Sequence, residues 1–335
     1  MKERIKKLIP KRFYEYLKVR KKYFELKKIY KYEAKRFIKW YSKHQIADDL
    51  QQLKARLILH AHRLEKGLSH IEFRNGFGKG PCYDLKQAMD HYNEKDFCKN
   101  EMEYNLALSV LKEYTKKHEQ TGLPDFFLRF FEVYLSEIEN CKSTIGGIEI
   151  VTKSSKSNNK DLDYKALFNN RVSVREWDSS KVDFKKVREA IELSMKTPTV
   201  CNRQAQKIRV ISNALLIEKV LKLQGGFSGY KIPPILALIT TDCRNFVHLG
   251  ERSQMYIDGG IYSMSFLNGL EYVGLGACAL NAMFNLEDDK NMRKLLNVPE
   301  YETFIMFIAI GNFLDETPYC KSVRKSAEEI SNFIN

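Results

Sequence analysis

The sequence predicts a mostly helical N-terminal half and a C-terminal half in which helices and strands are mixed. Apolar residues in the first half recur at steps of three and four, which is typical of amphipathic helices. After a polar stretch, apolar runs such as ILALITTD and TFIMFIAIG indicate buried strands between helical patterns. No glycine-rich strand–turn–helix signature opens the second half, so a doubly wound nucleotide-binding fold is not indicated.

The composition is that of an ordinary soluble protein, with 44% hydrophobic and 29% charged residues among 335. This length allows two or three folding units. The sequence contains no apolar run of about 18 residues, so no transmembrane helix is predicted. The first residues lack the apolar stretch of a secretory signal. The seven cysteines are scattered without a CxxC pair, so we expect a cytoplasmic protein with neither a zinc site nor disulfides.

A basic arm forms the first 44 residues, which hold 17 Lys and Arg against 4 Glu, while the rest of the chain is almost neutral. Its apolar residues have the spacing of an amphipathic helix: Val19, Tyr23, Leu26, Tyr30, Ala34, Phe37 and Tyr41. Three partners remain open: the chain's own body or a dimer partner, an anionic membrane at its inner face, and nucleic acid. Nucleic acid is least favoured, because no basic patch or recognised motif follows elsewhere.

Residues 45–150 have the pattern of a helical region. The stretch DDLQQLKARLILHAHRLEKG places leucines at helical spacing, and Gly67 is a candidate C-cap. His60, His62 and Glu65 have side chains that can bind metal. However, the two histidines diverge on a helix and the HExxH order is absent, so we predict no metal site.

A polar segment at 151–163 is the best candidate for a linker, because Ser, Asn and Lys dominate it without an apolar period. A second domain is therefore expected over 164–335. Its segments alternate between helical and strand-like patterns, and Asp183 is the expected N-cap of the helix DFKKVREAIELSMKT.

The stretch RVSVREW, at 171–177, places Arg171, Ser173 and Arg175 at every second position. On an extended segment these three side chains share one face. Two guanidinium groups and a hydroxyl suit phosphate or another anion. The same pattern is also typical of a strand with a solvated outer face, and both interpretations remain open for this stretch alone.

The stretch PTVCNRQ, at 198–204, follows a helix that Pro198 and Thr199 would end. Asn202 and Gln204 then lie two apart, just before a strand. Their amides donate and accept hydrogen bonds, which suits the edge of a heterocycle. Local turn formation by Asn202 explains the pattern equally well.

Two further segments complete the candidate site. The stretch 256–284 contains DGG and GLGACA; the latter matches GxGxxA, but a helix precedes it where a dinucleotide fingerprint needs a strand. The stretch 308–330 leads from the apolar strand IAIGN to a basic cluster. That cluster consists of Lys321, Arg324 and Lys325.

In order and spacing, these four segments resemble the FMN-dependent nitroreductase family over about residues 164–335. NRVSVREWD resembles that family's opening Arg-x-Ser-x-Arg/Lys-x-aromatic-Asp segment, and PTVCNRQ its Pro-Ser-x-x-Asn-x-Gln motif. The DGG helix running to GLG, the strand ending in IGN and a late basic residue complete the order. The resemblance implies an α+β fold with helices around a mixed sheet, here preceded by the mostly α-helical N-terminal region.

The resemblance also implies a homodimer with FMN at the interface and NAD(P)H as electron donor. By position, Arg171, Ser173 and Arg324 would hold the FMN phosphate. Arg175 would lie near the pyrimidine end of the flavin, where a cation offsets the negative charge of the reduced ring. The implied cofactor-binding residues are Arg171, Val172, Ser173, Arg175, Pro198, Thr199, Asn202, Gln204, Asn281, Ala282, Met283 and Arg324. The last strand-end segment, 281–283, would contact the reactive ring nitrogen through its backbone, and no protein acid or base is implied.

Several positions depart from that family's pattern. Thr199 replaces a Ser, Ala205-Gln206 replaces Pro-Trp, and Val172 replaces a frequent Arg or His. Met283 and Phe284 stand where small residues are common. These differences leave the prediction of FMN binding in place and weaken the case for a generic nitroaromatic substrate.

The segment HRLEKGLSHIEFRNGFGKG resembles one found in long nitroreductase-like proteins encoded among bacterial surface-polysaccharide genes. We therefore expect an FMN-dependent NAD(P)H oxidoreductase that reduces a small organic acceptor, with a link to surface-polysaccharide metabolism. The alternative is a catalytically quiet flavin-binding scaffold that the basic arm recruits to a membrane. For 45–150, a lid over the flavin and a second substrate site both remain open.

Overall fold

The computed structural model describes residues 10–40 and 49–334; Tyr41 of the predicted stripe and the remainder of the arm lie outside them. The N-terminal half is helical, as its periodicity predicts. Its helices are α1 (Lys11–Trp40), α2 (Leu50–Leu68), α3 (Lys79–Glu94), α4 (Met102–Lys117), α5 (Asp125–Phe131) and α6 (Leu135–Asn140). Asp49 caps α2, since its carboxylate accepts the backbone N–H of Gln51 at 2.9 Å.

Helices α2 to α6 surround a hydrophobic core of their own. The predicted leucine stripe of α2 faces that core, and Leu53, Leu57 and Leu64 are fully buried. Tyr92 of α3 and Tyr104 of α4 pack into the same cluster, with ring centroids 5.3 Å apart. Burying one such leucine contributes about 1.5–3 kcal/mol, so this region has the apolar contacts to hold its helices together.

The basic arm is helical over Lys11–Trp40, which confirms the predicted helix in that part of the chain. The side chains of Tyr23 and Tyr30 on its aromatic stripe are at least half exposed. The helix contacts the body of the protein through an ion pair between Glu33 and Arg252. Which partner covers the stripe stays a prediction. Among the residues described, no helix is both long and apolar enough to span a membrane.

The C-terminal half has the predicted α+β composition. Its elements are β1 (Ile148–Thr152), α7 (Tyr164–Asn170), α8 (Phe184–Ser194), β2 (Gln206–Ile211), α9 (Ala214–Gln224), β3 (Ile235–Asp242), α10 (Gln254–Tyr272), β4 (Gly276–Asn281), α11 (Leu286–Leu296), β5 (Glu302–Gly311), β6 (Glu316–Cys320) and α12 (Ala327–Ile330). Asp183 caps α8 as predicted, accepting the N–H of Lys185 at 2.8 Å.

Four strands form the main sheet in the order β2–β3–β5–β4, and every ladder between them is antiparallel. The mixed character implied by the resemblance is limited, in the described part of the chain, to one parallel bridge between Ser173 and Ala277. Helices cover both faces of this sheet. Leu236 and Leu238 of β3 face one apolar cluster, and the alternate residue Ala237 faces the other. Strand β3 is therefore buried on both faces, which explains its continuous apolar run.

The segment 151–163 differs from a free linker. Strand β1 enters it and pairs antiparallel with β6, which the sequence pattern did not indicate. Farther along, Lys156 is buried and its ammonium group lies 2.7 Å from the carboxylate of Glu271 on α10. Asn159 is also buried and donates to the backbone carbonyl of Glu271 at 2.7 Å. Polar residues make this segment resemble a linker, but their partners are buried polar groups of the domain that follows.

Gly67 does not end α2, contrary to its predicted role as a C-cap, because the helix continues to Leu68. A methyl group at Gly67 would lie 2.1 Å from the ring of Phe77. The glycine is therefore required by the close approach of this ring to the helix backbone rather than by helix termination.

The buried ion pair yields a first prediction. Lys156→Ala leaves the Glu271 carboxylate buried without its cation, and removing one partner of a buried pair costs about 3–5 kcal/mol. Urea unfolding should show a loss of that size. Lys160→Ala is the matched control, since its pair with Glu189 lies at the surface with both side chains partly exposed, and such pairs contribute about 0–1 kcal/mol. Equal losses in both variants would contradict a structural role specific to Lys156.

Candidate functional site

The segment RVSVREW lies along the outer edge of β4, the last strand of the main sheet. The N–H of Val174 donates to the carbonyl of Ala277 at 3.0 Å, beside the Ser173 bridge. Trp177 packs over Gly311, where a methyl group would lie 2.5 Å from the indole. Since residues i and i+2 of an extended segment share a face, this attachment places Arg171, Ser173 and Arg175 together.

Two arginines without carboxylate partners converge at one end of this segment. Burial lowers the pKa of Arg171, Glu271 opposes that effect, and the charge of Arg324 lowers the pKa further. The Glu271 carboxylate is already committed to Lys156. Among the described residues, no hydrogen bond or ion pair is made by the guanidinium of Arg171 or the hydroxyl of Ser173. The group therefore has donors and positive charge available for an anion.

Arg175 lies farther along the same face and is held by a thiol. Its guanidinium donates to Sγ of Cys320 at 3.4 Å. The pKa of Lys66, on α2, is lowered mainly by burial and next by the charge of Arg175. Two cations thus stand close together at the end of the segment that the resemblance assigns to the flavin ring.

Val172 does not face the same way as the arginines. It packs against the apolar cluster on one face of the sheet, together with the buried Val174. This explains why an apolar residue is accommodated where the resembled family often has a basic one.

The loop 198–204 is folded tightly on itself. Gln204 donates its backbone N–H to the hydroxyl of Thr199 at 3.0 Å and its amide to Oδ1 of Asn202 at 3.2 Å. The backbone φ angle is positive at Cys201, Asn202 and Gln204 (47°, 54° and 50°). Positive φ is uncommon outside glycine, and such strain concentrates at functional loops. Asn202 and Gln204 remain exposed at the surface, as does Pro198.

Two anchors hold this loop on the domain. Arg203 pairs with Glu251 at 2.7 Å, and the hydrogen bond from Arg203 is the main cause of a pKa of about 2 for that carboxyl. The N–H of Val200 donates to the carboxylate of Asp258, near the start of α10, at 3.2 Å. The loop is therefore fixed beside the N-terminal end of α10.

The third predicted segment, 281–283, leaves the end of β4. Asn281 Oδ1 accepts the N–H of Met283 at 3.2 Å, so that N–H is engaged within the segment. Ala282 and Met283 line a cavity of 330 Å³ together with Tyr256. Met283 is 82% exposed, which leaves its side chain free to contact a ligand or another chain.

One chain does not bring all the predicted residues together. The arginine group lies beside Glu271, whereas the loop 198–204 is bonded to Asp258. These two acidic residues are thirteen positions apart on α10, or about 20 Å at 1.5 Å per residue. The two halves of the predicted site thus occupy opposite ends of one helix.

The N-terminal region supplies residues that the sequence analysis did not assign to the site. The hydroxyl of Tyr230 donates to the carbonyl of Lys66 at 2.6 Å and lies 3.1 Å from the hydroxyl of Ser69. His70 stacks on Tyr230, with centroids 4.0 Å apart, and faces Glu176 of the RVSVREW segment at 3.5 Å. The many basic residues and glycines in HRLEKGLSHIEFRNGFGKG could have indicated a functional segment, but the sequence does not show which residues of the C-terminal half it contacts.

His62, Glu65 and Cys320 form a cluster of metal-binding residue types in the described part of the chain, with donor atoms within 4.8 Å of one another. Their atoms already have partners. One Glu65 oxygen accepts the N–H of Gly147 at 3.1 Å, the other contacts His62 at 3.0 Å, and Arg175 donates to the thiol. A neighbouring guanidinium disfavours a cation, so the cluster is best described as a hydrogen-bond network.

Comparison with solved structures finds similarity over about half of the chain. A putative NADH oxidase from Clostridium acetobutylicum is 21% identical, covers 49% of this chain and 97% of its own, and has a TM-score of 0.43. A nitroreductase family protein from Clostridium difficile 630 is 20% identical, with 52% and 99% covered and a TM-score of 0.44. An FMN-dependent nitroreductase from Clostridium difficile R20291 is 18% identical, with 50% and 98% covered and a TM-score of 0.43. No protein-family model and no curated protein matches the chain.

The cysteines of the chain should differ sharply in reactivity. Burial raises the pKa of Cys320 to about 11 and that of Cys82 to about 12. Because the thiolate is the nucleophile, iodoacetamide at pH 8 should leave both unmodified in the native chain. Cys98 and Cys201 are exposed and should be alkylated.

Peptide mass mapping after brief labelling would measure this difference, with the urea-denatured chain as the control in which all seven cysteines react. Modification of Cys320 at the rate of Cys98 in the native chain would show that the surroundings of Arg175 are open to solvent.

Proposed function

We propose that the chain is an FMN-dependent oxidoreductase that takes electrons from NAD(P)H and delivers them to a small organic acceptor. The observation that carries this proposal is the convergence of Arg171 and Arg324 beside the free hydroxyl of Ser173, where the nearby Glu271 carboxylate is already bonded to Lys156. Bound FMN would supply hydride acceptance and electron delivery. The protein would supply binding, orientation and electrostatics.

The phosphate of FMN fits the chemistry of this group. A phosphate monoester carries nearly two negative charges near pH 7 and accepts several hydrogen bonds. Arg171 can donate two parallel hydrogen bonds to it, Ser173 can donate its hydroxyl proton, and Arg324 adds a second cation. Burial, and after it the charge of Arg324, now lowers the pKa of Arg171, and a bound phosphate would offset the repulsion between the two arginines.

Arg175 is suited to a different task. Its guanidinium is held by the Cys320 thiol, and Lys66 lies nearby. Two fixed cations stabilise negative charge in a partly buried site more strongly than in water. We therefore assign Arg175 to the pyrimidine end of the ring, where it would make reduction more favourable.

A homodimer would unite the two halves of the site. Apart from Asp258 and Glu271, both buried, α10 has no charged side chain. Its outer face presents Ile257 and Ile261, both about half exposed, on either side of Gly260, around which there is open space. An uncharged helix face with a small residue at its centre is suited to close helix packing.

Two-fold symmetry across that face would pair the α10 helices antiparallel. The start of one helix would then lie beside the end of the other. Each loop 198–204 would approach the RVSVREW segment of the opposite chain, so that both chains contribute to each flavin site. This antiparallel dimer therefore makes two testable claims: the chain is dimeric, and residues of both chains contact each flavin.

A charge on α10 tests the dimer. Ile261→Glu places an unpaired carboxylate in the proposed interface, at a cost of several kcal/mol, and light scattering after gel filtration should show a monomer at micromolar concentration. Leu215→Glu is the matched control, because Leu215 is 70% exposed on another helix and should leave the dimer intact. A wild-type monomer at the same concentration would exclude the arrangement.

The two arginines of RVSVREW should separate retention from reduction. Arg171→Ala removes charge-assisted hydrogen bonds to phosphate; the loss of even one, at about 1.5–3 kcal/mol, should weaken FMN binding by at least roughly tenfold to hundredfold. Arg175→Ala should mainly lower the reduction potential of bound FMN and slow its reduction by NAD(P)H.

Equilibrium fluorescence titration with FMN and anaerobic reduction followed by absorbance would measure the two effects. Arg188→Ala, at an exposed position of α8, serves as the control for loss of one positive charge. Equal losses of retention and reduction in the two site variants would refute the assigned division, and a chain that never binds FMN would refute the proposed function.

A further inference from the structure

A cavity of 560 Å³ lies where the N-terminal helical region meets the loop after α9. Its first wall comes from α2 and the segment after it, and its second wall from residues 225–230. Basic side chains dominate the first wall, and two apolar residues border them. The basic residues are Arg63, Lys66, His70 and Arg74, and the apolar residues are Phe77 and Pro81.

The two walls are fitted to each other. Tyr230 donates to the carbonyl of Lys66 at 2.6 Å and stacks on His70. The guanidinium of Arg74 lies over Gly229, where a Cβ atom would stand 2.8 Å from it. Gly229 also has a φ of +89°, a conformation that favours glycine. A glycine at position 229 therefore leaves the space that the Arg74 guanidinium occupies against the loop.

The positive charge in this cavity is only partly neutralised. Arg63 pairs with Asp84 at 2.6 Å. Lys66 and Arg74 form no hydrogen bond or ion pair through their side chains with any residue that the structure describes. Lys66 is partly buried, and its pKa is lowered first by burial and then by the charge of Arg175. Two cations in a concave site thus lack counter-charges.

A dianion would balance these two cations, whereas a single carboxylate would leave one uncompensated. Phosphate esters carry nearly two negative charges near pH 7, and their oxygens match the donors of Arg and Lys. The volume exceeds what a phosphate alone requires, and Phe77 and Pro81 can contact an apolar remainder. Lys66 connects this cavity to the neighbourhood of Arg175.

We propose that this cavity binds the phosphate group of a small phosphorylated substrate that exchanges electrons with the flavin beside Arg175. The substrate role rests on the proposed function, whereas binding of the phosphate group depends only on Lys66 and Arg74. The N-terminal helical region is then a substrate-binding wall rather than a passive cover.

Isothermal titration calorimetry of the full chain with inorganic pyrophosphate tests the binding, both with and without added FMN. Lys66→Gln combined with Arg74→Gln should weaken pyrophosphate binding at least about tenfold, because two charge-assisted contacts are lost. Lys117→Gln combined with Lys165→Gln removes the same charge at exposed positions and should leave binding unchanged. Acetate, a monoanion, should bind more weakly than pyrophosphate.

Wild-type protein that does not bind pyrophosphate, or equal weakening in the control variant, would overturn the proposal. So would a parallel loss of FMN retention in the Lys66 and Arg74 variant, since the anion would then be the phosphate of FMN itself. In the FMN-loaded chain, pyrophosphate should shift the visible flavin spectrum; calorimetric binding without a shift would overturn the substrate role. A chain that never retains FMN would refute the proposed function, while calorimetry without FMN would still decide the phosphate site.

Discussion

The arrangement of the candidate site depends on the attachment of RVSVREW to the edge of β4. One backbone hydrogen bond, from Val174 to Ala277, sets the register of this short segment, and the packing of Trp177 on Gly311 holds its far end. Because side chains alternate along an extended segment, this register decides which residues face outward. A slip of one residue would turn the arginines toward the apolar cluster and Val172 and Val174 away from it.

The two cations that this register places on one face have different surroundings. Arg171 lies near Glu271, which is bonded to Lys156, so the carboxylate offsets part of the charge without being free to pair with it. Arg175 has a thiol as its hydrogen-bond acceptor and Lys66 as a neighbour. Positive charge held without carboxylates is unfavourable in the free protein, and it is the condition under which an anionic ligand gains most on binding.

The helical N-terminal half is part of this construction. Tyr230 and His70 join it to the C-terminal half, and β1, the next strand after the helices, pairs with β6. The same contacts bring Lys66 to Arg175 and Arg74 to the glycine loop. The N-terminal half, which lies outside the resembled family motifs, thereby contributes positive charges next to Arg175 and next to the glycine loop.

The sequence by itself determined the helical character of the N-terminal half, the buried strands ILALITTD and TFIMFIAIG, the Asp183 cap and the segment RVSVREW, because periodicity, capping and alternation are local properties. It did not determine the β1–β6 pair or the burial of Lys156, since polar residues look alike whether they face water or a distant partner such as Glu271. Only the tertiary structure decided that Gly67 accommodates Phe77, that Arg175 meets Lys66, and that the loop 198–204 lies at the far end of α10. Those facts depend on contacts between residues tens to hundreds of positions apart, for which no local pattern exists.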